Sequence, residues 1–386
     1  MTHSNDHWLS PTQLFDGQTL SSDSAVQMSD GRVVSVALKY EIPANATVHN
    51  IDGTLSPGFF DIQINGGGNV LFNSQTNSAG LARIAAAHHA HGTTHWLPTV
   101  ITDGPDVMAA ACTAVLENHG QHGIAGIHIE GPHIAIERKG THKSHWIRPL
   151  DDNTLTQVKR MRSAGVPVLI TVAPEAMRPG EIAQLVSLGS VVSLGHSNAS
   201  SAQTQAALAE GAQLFTHLFN AMSQIESREQ NVVGTAINSD RYCSIIVDGL
   251  HVDLGVVGMA VRARPVGDRM IIVSDAMPTV GGSPEFELYG NFIKLVDGRL
   301  INQEGSLAGA HITQFEELCN MVQKIGIPLE TALRMVTQNP ARLMGVSDSL
   351  GTISAGHPAD MIVIASDFSD IASVITPAVQ GLVHQG

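Results

Sequence analysis

The sequence predicts an α/β fold: a (β/α)8 TIM barrel carrying a small β-sandwich domain formed from both chain ends. Two observations predict it. From Pro57-Gly58 onward, short apolar runs alternate with Ala- and Leu-rich amphipathic segments, the mark of βαβ units around a parallel sheet. On both sides of that stretch the chain is rich in turns and short strands, so its two ends read as halves of one domain. The expected division is 1–56 with 346–386 for the β domain and 57–345 for the barrel.

Taken in order, Asp16-Gly17 and Asp30-Gly31 are turn pairs, and Arg32–Leu38 is a strand candidate. The eight barrel strands are expected at Gly58–Asn65, Thr93–Val100, Ala125–Glu130, Val166–Val172, Val191–His196, Gln213–Phe219, Cys243–Val247 and Met270–Ser274. Helices are expected at Asn77–His91, Gly104–His119, Asp152–Ala164, Gly180–Gly189, Ser200–Gly211 and Leu254–Arg264. The short polar segment between the sixth and seventh strands predicts a loop. Beyond the eighth strand, Leu288–Leu300 turns back to β character around Asp297-Gly298. Helices follow at His311–Ile325 and Pro328–Thr337, then Asn339-Pro340, then a turn and a buried strand ending at Ala365.

Composition removes several function classes. With 386 residues, 43% hydrophobic, the chain can bury a large core. Charged residues at 15% and aromatics at 4% exclude a disordered chain and a stacking platform for single strands. A net charge of −14 repels nucleic acid and anionic lipid, so a bound anion needs a local cationic site. No nucleic-acid or membrane partner is expected. Cys112, Cys243 and Cys319 are far apart and odd in number, which predicts buried thiols in a reducing compartment. No basic and apolar leader and no membrane-length apolar run is seen, so the expectation is a cytoplasmic protein.

Four predicted strands end on a residue of metal-binding or acid/base type: Glu130, His196, His217 and Asp275. One such histidine alone is more commonly a satisfied polar residue, and a lone Asp there is commonly a helix cap. The four together share the carboxyl-end rim of one barrel, where barrel enzymes keep their chemistry. Glu130, His196 and His217 would supply a carboxylate and two imidazoles to one divalent ion, with Asp275 left as the base. By contrast, His88, His89, His91 and His95 fall at the opposite rim, near a helix end, and read as structural.

These motifs resemble a known family. Pro57-Gly-Phe-Phe-Asp-Ile-Gln63-Ile-Asn65 resembles the opening strand of amidohydrolase-superfamily barrels. His128-Ile-Glu130-Gly-Pro, Lys139-Gly-Thr-His142, Thr216-His217-Leu-Phe-Asn220-Ala-Met222 and Asp248-Gly-Leu-His251 resemble the N-acetylglucosamine-6-phosphate deacetylase family. Gly195-His196-Ser-Asn, Ser274-Asp275-Ala, Gly305-Ser-Leu-Ala-Gly309, Asn339-Pro-Ala-Arg and Gly356-His-Pro-Ala-Asp360 extend the likeness over nearly the whole chain.

The resemblance implies Glu130, His196 and His217 as metal ligands and Asp275 as general acid/base. It implies His142 at the acetyl carbonyl, and Asn220, Ala221, Arg228 and His251 at the sugar phosphate. It further implies a homodimer or higher homo-oligomer, with a phosphate contact crossing the interface. Many superfamily members carry His-x-His on strand one; here Gln63 and Asn65 stand there, poorer ligands, so one metal is expected instead of two. Zinc heads the candidates, with iron, cobalt or manganese as alternatives.

The implied reaction is deacetylation of N-acetylglucosamine 6-phosphate to glucosamine 6-phosphate and acetate. Rivals are the N-acetylgalactosamine 6-phosphate reaction, a cyclic-amide hydrolase and a non-catalytic barrel. The strand-four region Val166–Val172 holds no lysine to bridge two metals, which speaks against the cyclic-amide rival. The retained ligands and Asp275 speak against the non-catalytic one.

Overall fold

A computed structural model describes residues 7–302, 305, 307–376 and 383–384. Eight parallel strands run in chain order as neighbours: Phe59–Ile64, Thr93–Ile101, Ile127–Glu130, Val168–Val172, Val191–Leu194, Leu214–Phe215, Tyr242–Ile245 and Met270–Ile272. They are numbered one to eight below. Strands covered on both faces should be apolar throughout, and strand four, Val-Leu-Ile-Thr-Val, is buried at every position. Its period of two sorts the faces. Val168, Ile170 and Val172 join the large cluster that includes helix residues such as Ala111 and Val158. Leu169 instead meets Phe60, Leu97, Leu214 and Ile271 in a separate cluster, the lining of the barrel.

The six expected crossover helices form at Ser78–His89, Pro105–Asn118, Asp152–Ser163, Glu181–Ser187, Ser201–Ala209 and Leu254–Ala263. Asn77, Asp151, Ser200 and Asp253 cap four of them by accepting from backbone N–H groups of the first turn. One expectation fails. The segment between strands six and seven contains a helix, Asn231–Asn238, and not only a loop. Val232, Val233, Ala236 and Ile237 fall on one helical face and are all buried there. The polar run that precedes them masks this short pattern in the sequence.

Strand ends differ as well. Strands five, six and eight stop at Leu194, Phe215 and Ile272, short of His196, His217 and Asp275, which take φ values of 48°, 33° and 48°. A left-handed residue cannot continue a ladder. After strand eight, Glu285–Leu288, Asn291–Val296 and Arg299–Ile301 form a three-stranded sheet whose second turn is the expected Asp297-Gly298 pair. Both turn residues have positive φ, the geometry such pairs favour. The helix expected from His311 starts at Gln314, where Thr313 and Glu316 form a capping box, and ends in a π turn at Asn320–Lys324. Leu329–Val336 follows, and a further helix, Gln338–Met344, takes Asn339-Pro340 into its first turn, where proline is tolerated.

Strands from both chain ends share one mixed sheet. Thr47–Pro57 lies parallel to His7–Phe15 and antiparallel to Met361–Ile364, so the sheet joins residues some 300 positions apart. Cys112 and Cys243 are buried as expected, while Cys319 is only half-buried. Among the described residues no helix is long and apolar enough to cross a membrane.

The parallel sheet closes without a ladder between strands one and eight. Side chains satisfy the free edge of strand eight instead. Asn339 Nδ2 donates to Met270 O at 2.8 Å, and Gln314 Nε2 donates to Ile272 O at 3.0 Å and to Phe60 O at 3.3 Å. Ser274 N donates to Asp61 Oδ2 at 3.1 Å. At the rim the backbones meet directly, with Asn65 N and Gly66 N both 3.0 Å from Ala276 O.

Candidate active site

Glu130 ends strand three and is 2% exposed. The next residue, Gly131, has φ 79°, and a Cβ there would lie 2.2 Å from Thr102 Oγ1, so only glycine allows the chain to turn away at this point. His196 and His217 follow strands five and six in left-handed turns that tip their rings inward. Such a conformation costs a non-glycine residue about 1–2 kcal/mol, strain that tends to persist where geometry serves a site.

Three atoms converge. His196 Nε2 lies 3.3 Å and His217 Nε2 3.2 Å from Glu130 Oε1, and the two nitrogens are 3.0 Å apart. Ligand atoms about 2.0–2.1 Å from a tetrahedral ion sit about 3.3 Å from one another, so this triangle fits one divalent metal. His196 Nδ1 donates to Arg138 O at 2.8 Å, which leaves Nε2 with its lone pair for a metal. His142 also lies near, with its ligand atom and those of Glu130 and His196 within 4.8 Å of one another. The triangle with His217 is the tighter of the two, and His142, whose Nδ1 is engaged by Thr102 Oγ1 at 2.7 Å, keeps its Nε2 for the same space.

Asp275 faces this group across Gln63 and Asn65. Gln63 Nε2 donates to Glu130 Oε1 at 2.9 Å and to Asp275 Oδ1 at 3.1 Å, and Asn65 Nδ2 donates to Asp275 Oδ1 at 2.6 Å. The two amides therefore do more than stand in place of ligands: they tether the carboxylates. Burial and the charge of Glu130 push the Asp275 carboxyl up to about 6, against the opposing pull of His217 and Asn65. Burial would also raise Glu130, but His196 and His217 together hold it well below the usual carboxylate range. Burial, helped by His196, pushes the His142 imidazole down to about 3, so it is neutral.

Most residues expected at the substrate line the same cavity: His142, Asn220, Ala221 and His251. Asp248 Oδ2 holds His251 Nδ1 at 2.6 Å, which aims the other ring nitrogen elsewhere. Asn220 turns its amide back onto His217 O at 3.2 Å. Arg228 is the exception. It is exposed and does not line the cavity, because the polar loop before the helix at Asn231 carries it outward. No Lys or Arg among the described residues lines the cavity at all.

Sequence reasoning missed Thr102, Asp248 and Tyr289 in these roles. Tyr289, in the turn of the three-stranded sheet, donates its hydroxyl to Thr102 O. Only the Asp248-Gly-Leu-His251 motif carried a signal; a threonine past strand two and a tyrosine in a distant turn carry none. Two histidines of the cluster near the first helix end have structural partners: His88 Nε2 meets Gly66 O at 2.9 Å and His95 Nδ1 meets Asp360 Oδ2 at 3.0 Å.

A family model described as the amidohydrolase family matches residues 54–383. The chain belongs to the amidohydrolase family. This amidohydrolase is 34% identical to the N-acetylglucosamine-6-phosphate deacetylase of Haemophilus influenzae, over 92% of its length and 93% of the relative's. It is 37% identical to the N-acetylgalactosamine-6-phosphate deacetylase of a Shewanella species, over 90% and 89%. The crystal structure of N-acetylglucosamine-6-phosphate deacetylase from Pasteurella multocida superposes with a TM-score of 0.90 at 33% identity, covering 96% of this chain and 98% of that one. The buried carboxylate and imidazoles on the barrel rim are a group that could hold a metal ion in this family of hydrolases.

Proposed function

We propose that the chain hydrolyses the acetamide of N-acetyl-D-glucosamine 6-phosphate to D-glucosamine 6-phosphate and acetate. The observation that carries this reading is the buried Glu130, His196 and His217 triangle with Asp275 tethered beside it. Those three residues would hold one divalent ion, zinc first, with iron, cobalt or manganese as alternatives. When bound, such an ion supplies Lewis acidity and lowers the pKa of water to about 7.

The chain's own residues do the rest. Asp275 accepts a proton from the attacking water and returns it to the departing nitrogen, so that an amine leaves instead of an amide anion. Gln63 and Asn65 keep the Asp275 carboxylate oriented through its Oδ1. The neutral His142 donates from Nε2 to the acetyl oxygen as negative charge develops there. A C–O bond forms, the C–N bond breaks, and the proton ends on nitrogen. Asn220, Ala221 and His251 would meet the sugar phosphate. Among the described residues no Lys or Arg lines the cavity of one chain, so Arg228 would serve best across an interface between copies in a homodimer.

A second reading is N-acetylgalactosamine 6-phosphate as substrate, which the Shewanella relative's name favours. Acetate release from both phosphorylated sugars and from unphosphorylated N-acetylglucosamine, with and without chelator, tests both. The primary reading requires the highest kcat/KM on the glucosamine 6-phosphate derivative. A higher value on the galactosamine isomer would reverse the order, and no release from either by metal-loaded protein would sink the deacetylase reading.

A further inference from the structure

Asp61 stands at the one seam of the barrel that lacks a ladder, and it is 0% exposed. Its two oxygens bind two different strands. Oδ1 accepts from Gln63 N at 3.0 Å, and Oδ2 accepts from Ser274 N at 3.1 Å. Each donor leads straight to the site. Ser274 immediately precedes Asp275, and the Gln63 side chain touches both Asp275 and Glu130.

The bond to Gln63 N coincides with a slip in register. Asp61 pairs with Trp96 and the next pair is Ile64 with Pro98, three steps on strand one against two on strand two. This is a bulge, and it reverses the alternation of side chains. Before it, Phe60 and Ile62 belong to the barrel lining. After it, Ile64 joins the cluster under the helices. Regular alternation would turn Gln63 and Asn65 toward the helices; the bulge turns both toward Asp275. A carboxylate accepting from the backbone two residues on is a turn-stabilising bond, and here it holds the bulge.

We propose that Asp61 is a positioning residue for Asp275, its carboxylate fixing both the bulge that aims Gln63 and Asn65 and the backbone that carries Asp275. The inference rests on the proposed role of Asp275 in amide hydrolysis. Asp61 touches no substrate; it acts through the two groups it binds. Placement errors near 1 Å at a reacting group cost up to about 100-fold in rate, so a device of this kind matters more for turnover than for binding.

Asp61→Asn tests it, because an amide offers one acceptor and turns an NH2 toward the other N–H. Loaded with zinc, the variant should take up as much metal as the wild type, hold KM within about twofold and lose roughly 10- to 100-fold in kcat. Crystals of the metal-free variant should show the Gln63 amide moved off Asp275. Gln314→Ala cuts the same seam one level lower, away from Ser274, and should lower Tm while kcat stays normal. Wild-type kcat in Asp61→Asn would overturn the proposal, as would an equal kcat loss in Gln314→Ala, which would mark the seam as merely structural. Should Asp61→Asn not fold, Asp61→Ser keeps an acceptor near Gln63 N but not the reach to Ser274, and the same kcat criterion applies. If the wild type released no acetate, the functional reading would fall by itself, and the position of Gln63 in the variant crystals would still decide whether Asp61 places it.

Discussion

Thr102 Oγ1 lies 2.7 Å from His142 Nδ1, and the same hydroxyl is 3.4 Å from Glu130 O. The hydroxyl has one proton for the carbonyl and the ring nitrogen, and the proposed donation from His142 Nε2 requires that it go to the shorter contact, at Nδ1. His142 is neutral, so a donor at Nδ1 leaves the ring's own proton on Nε2, the nitrogen expected to face the acetyl oxygen. Thr102→Val removes that donor and leaves Nδ1 buried without a partner. The expected result is a kcat lowered roughly 10- to 100-fold with KM little changed, and recovery in Thr102→Ser. Steady-state acetate release measures it; a valine variant with normal kcat would remove Thr102 from the site.

Glu130→Gln should empty the metal site. The substitution trades the only carboxylate of the triangle for a neutral amide, a much poorer ligand beside two imidazoles. Metal analysis after dialysis should find well under one equivalent. Full occupancy would show that Glu130 is not a ligand.

Asp275→Asn separates chemistry from metal binding. Gln63 and Asn65 touch its carboxylate, and an asparagine there keeps the shape but not the base. Metal content should stay normal while kcat falls roughly 100- to 10,000-fold. An active variant would take Asp275 out of the proton path.

Arg228→Ala probes the phosphate. The residue is exposed and outside the cavity of its own chain, so an effect requires a neighbouring copy. KM for the phosphorylated sugar should rise several-fold, roughly 1 kcal/mol of binding, with no change for the unphosphorylated sugar. Equal changes on both would mean that Arg228 does not read phosphate.

Glu317 makes stability depend on pH. It is fully buried, Oε1 accepts from Val247 N at 2.7 Å, and burial pushes its carboxyl well above the usual range. Below pH 4.5 both folded and unfolded chains hold the proton, and the group contributes no slope. As pH rises past that value the unfolded chain releases it and the folded chain keeps it, so stability falls, by at most about 1.4 kcal/mol per pH unit. Glu317→Gln keeps an acceptor and cannot ionise. Its Tm relative to wild type should therefore improve steadily from pH 5 to pH 8 in thermal scans, and a constant difference would contradict the buried-proton account.

The barrel was legible because strands buried on both faces must be apolar and must alternate with amphipathic crossovers; strand four shows both rules at once. Glu130, His196, His217 and Asp275 were legible for the converse reason, as polar residues where burial forbids them unless they have work or partners. The helix at Asn231–Asn238 was not legible, since eight residues after a polar loop give too short a pattern. Arg228 matched a family phosphate position, and the fold leaves it exposed outside the cavity of its own chain.

The sequence by itself therefore determined the order of strands and helices, the meeting of both chain ends in one sheet, and which strand ends carry polar residues into the barrel rim. Local periodicity encodes all of these. Only the tertiary structure decided how those groups are held. The bulge that turns Gln63 and Asn65 onto Asp275, the Thr102 hydroxyl behind His142 and the side-chain seam through Asp61, Gln314 and Asn339 join residues 40 to more than 200 positions apart. Such contacts follow from how a sheet closes on itself, and no window of sequence contains both partners.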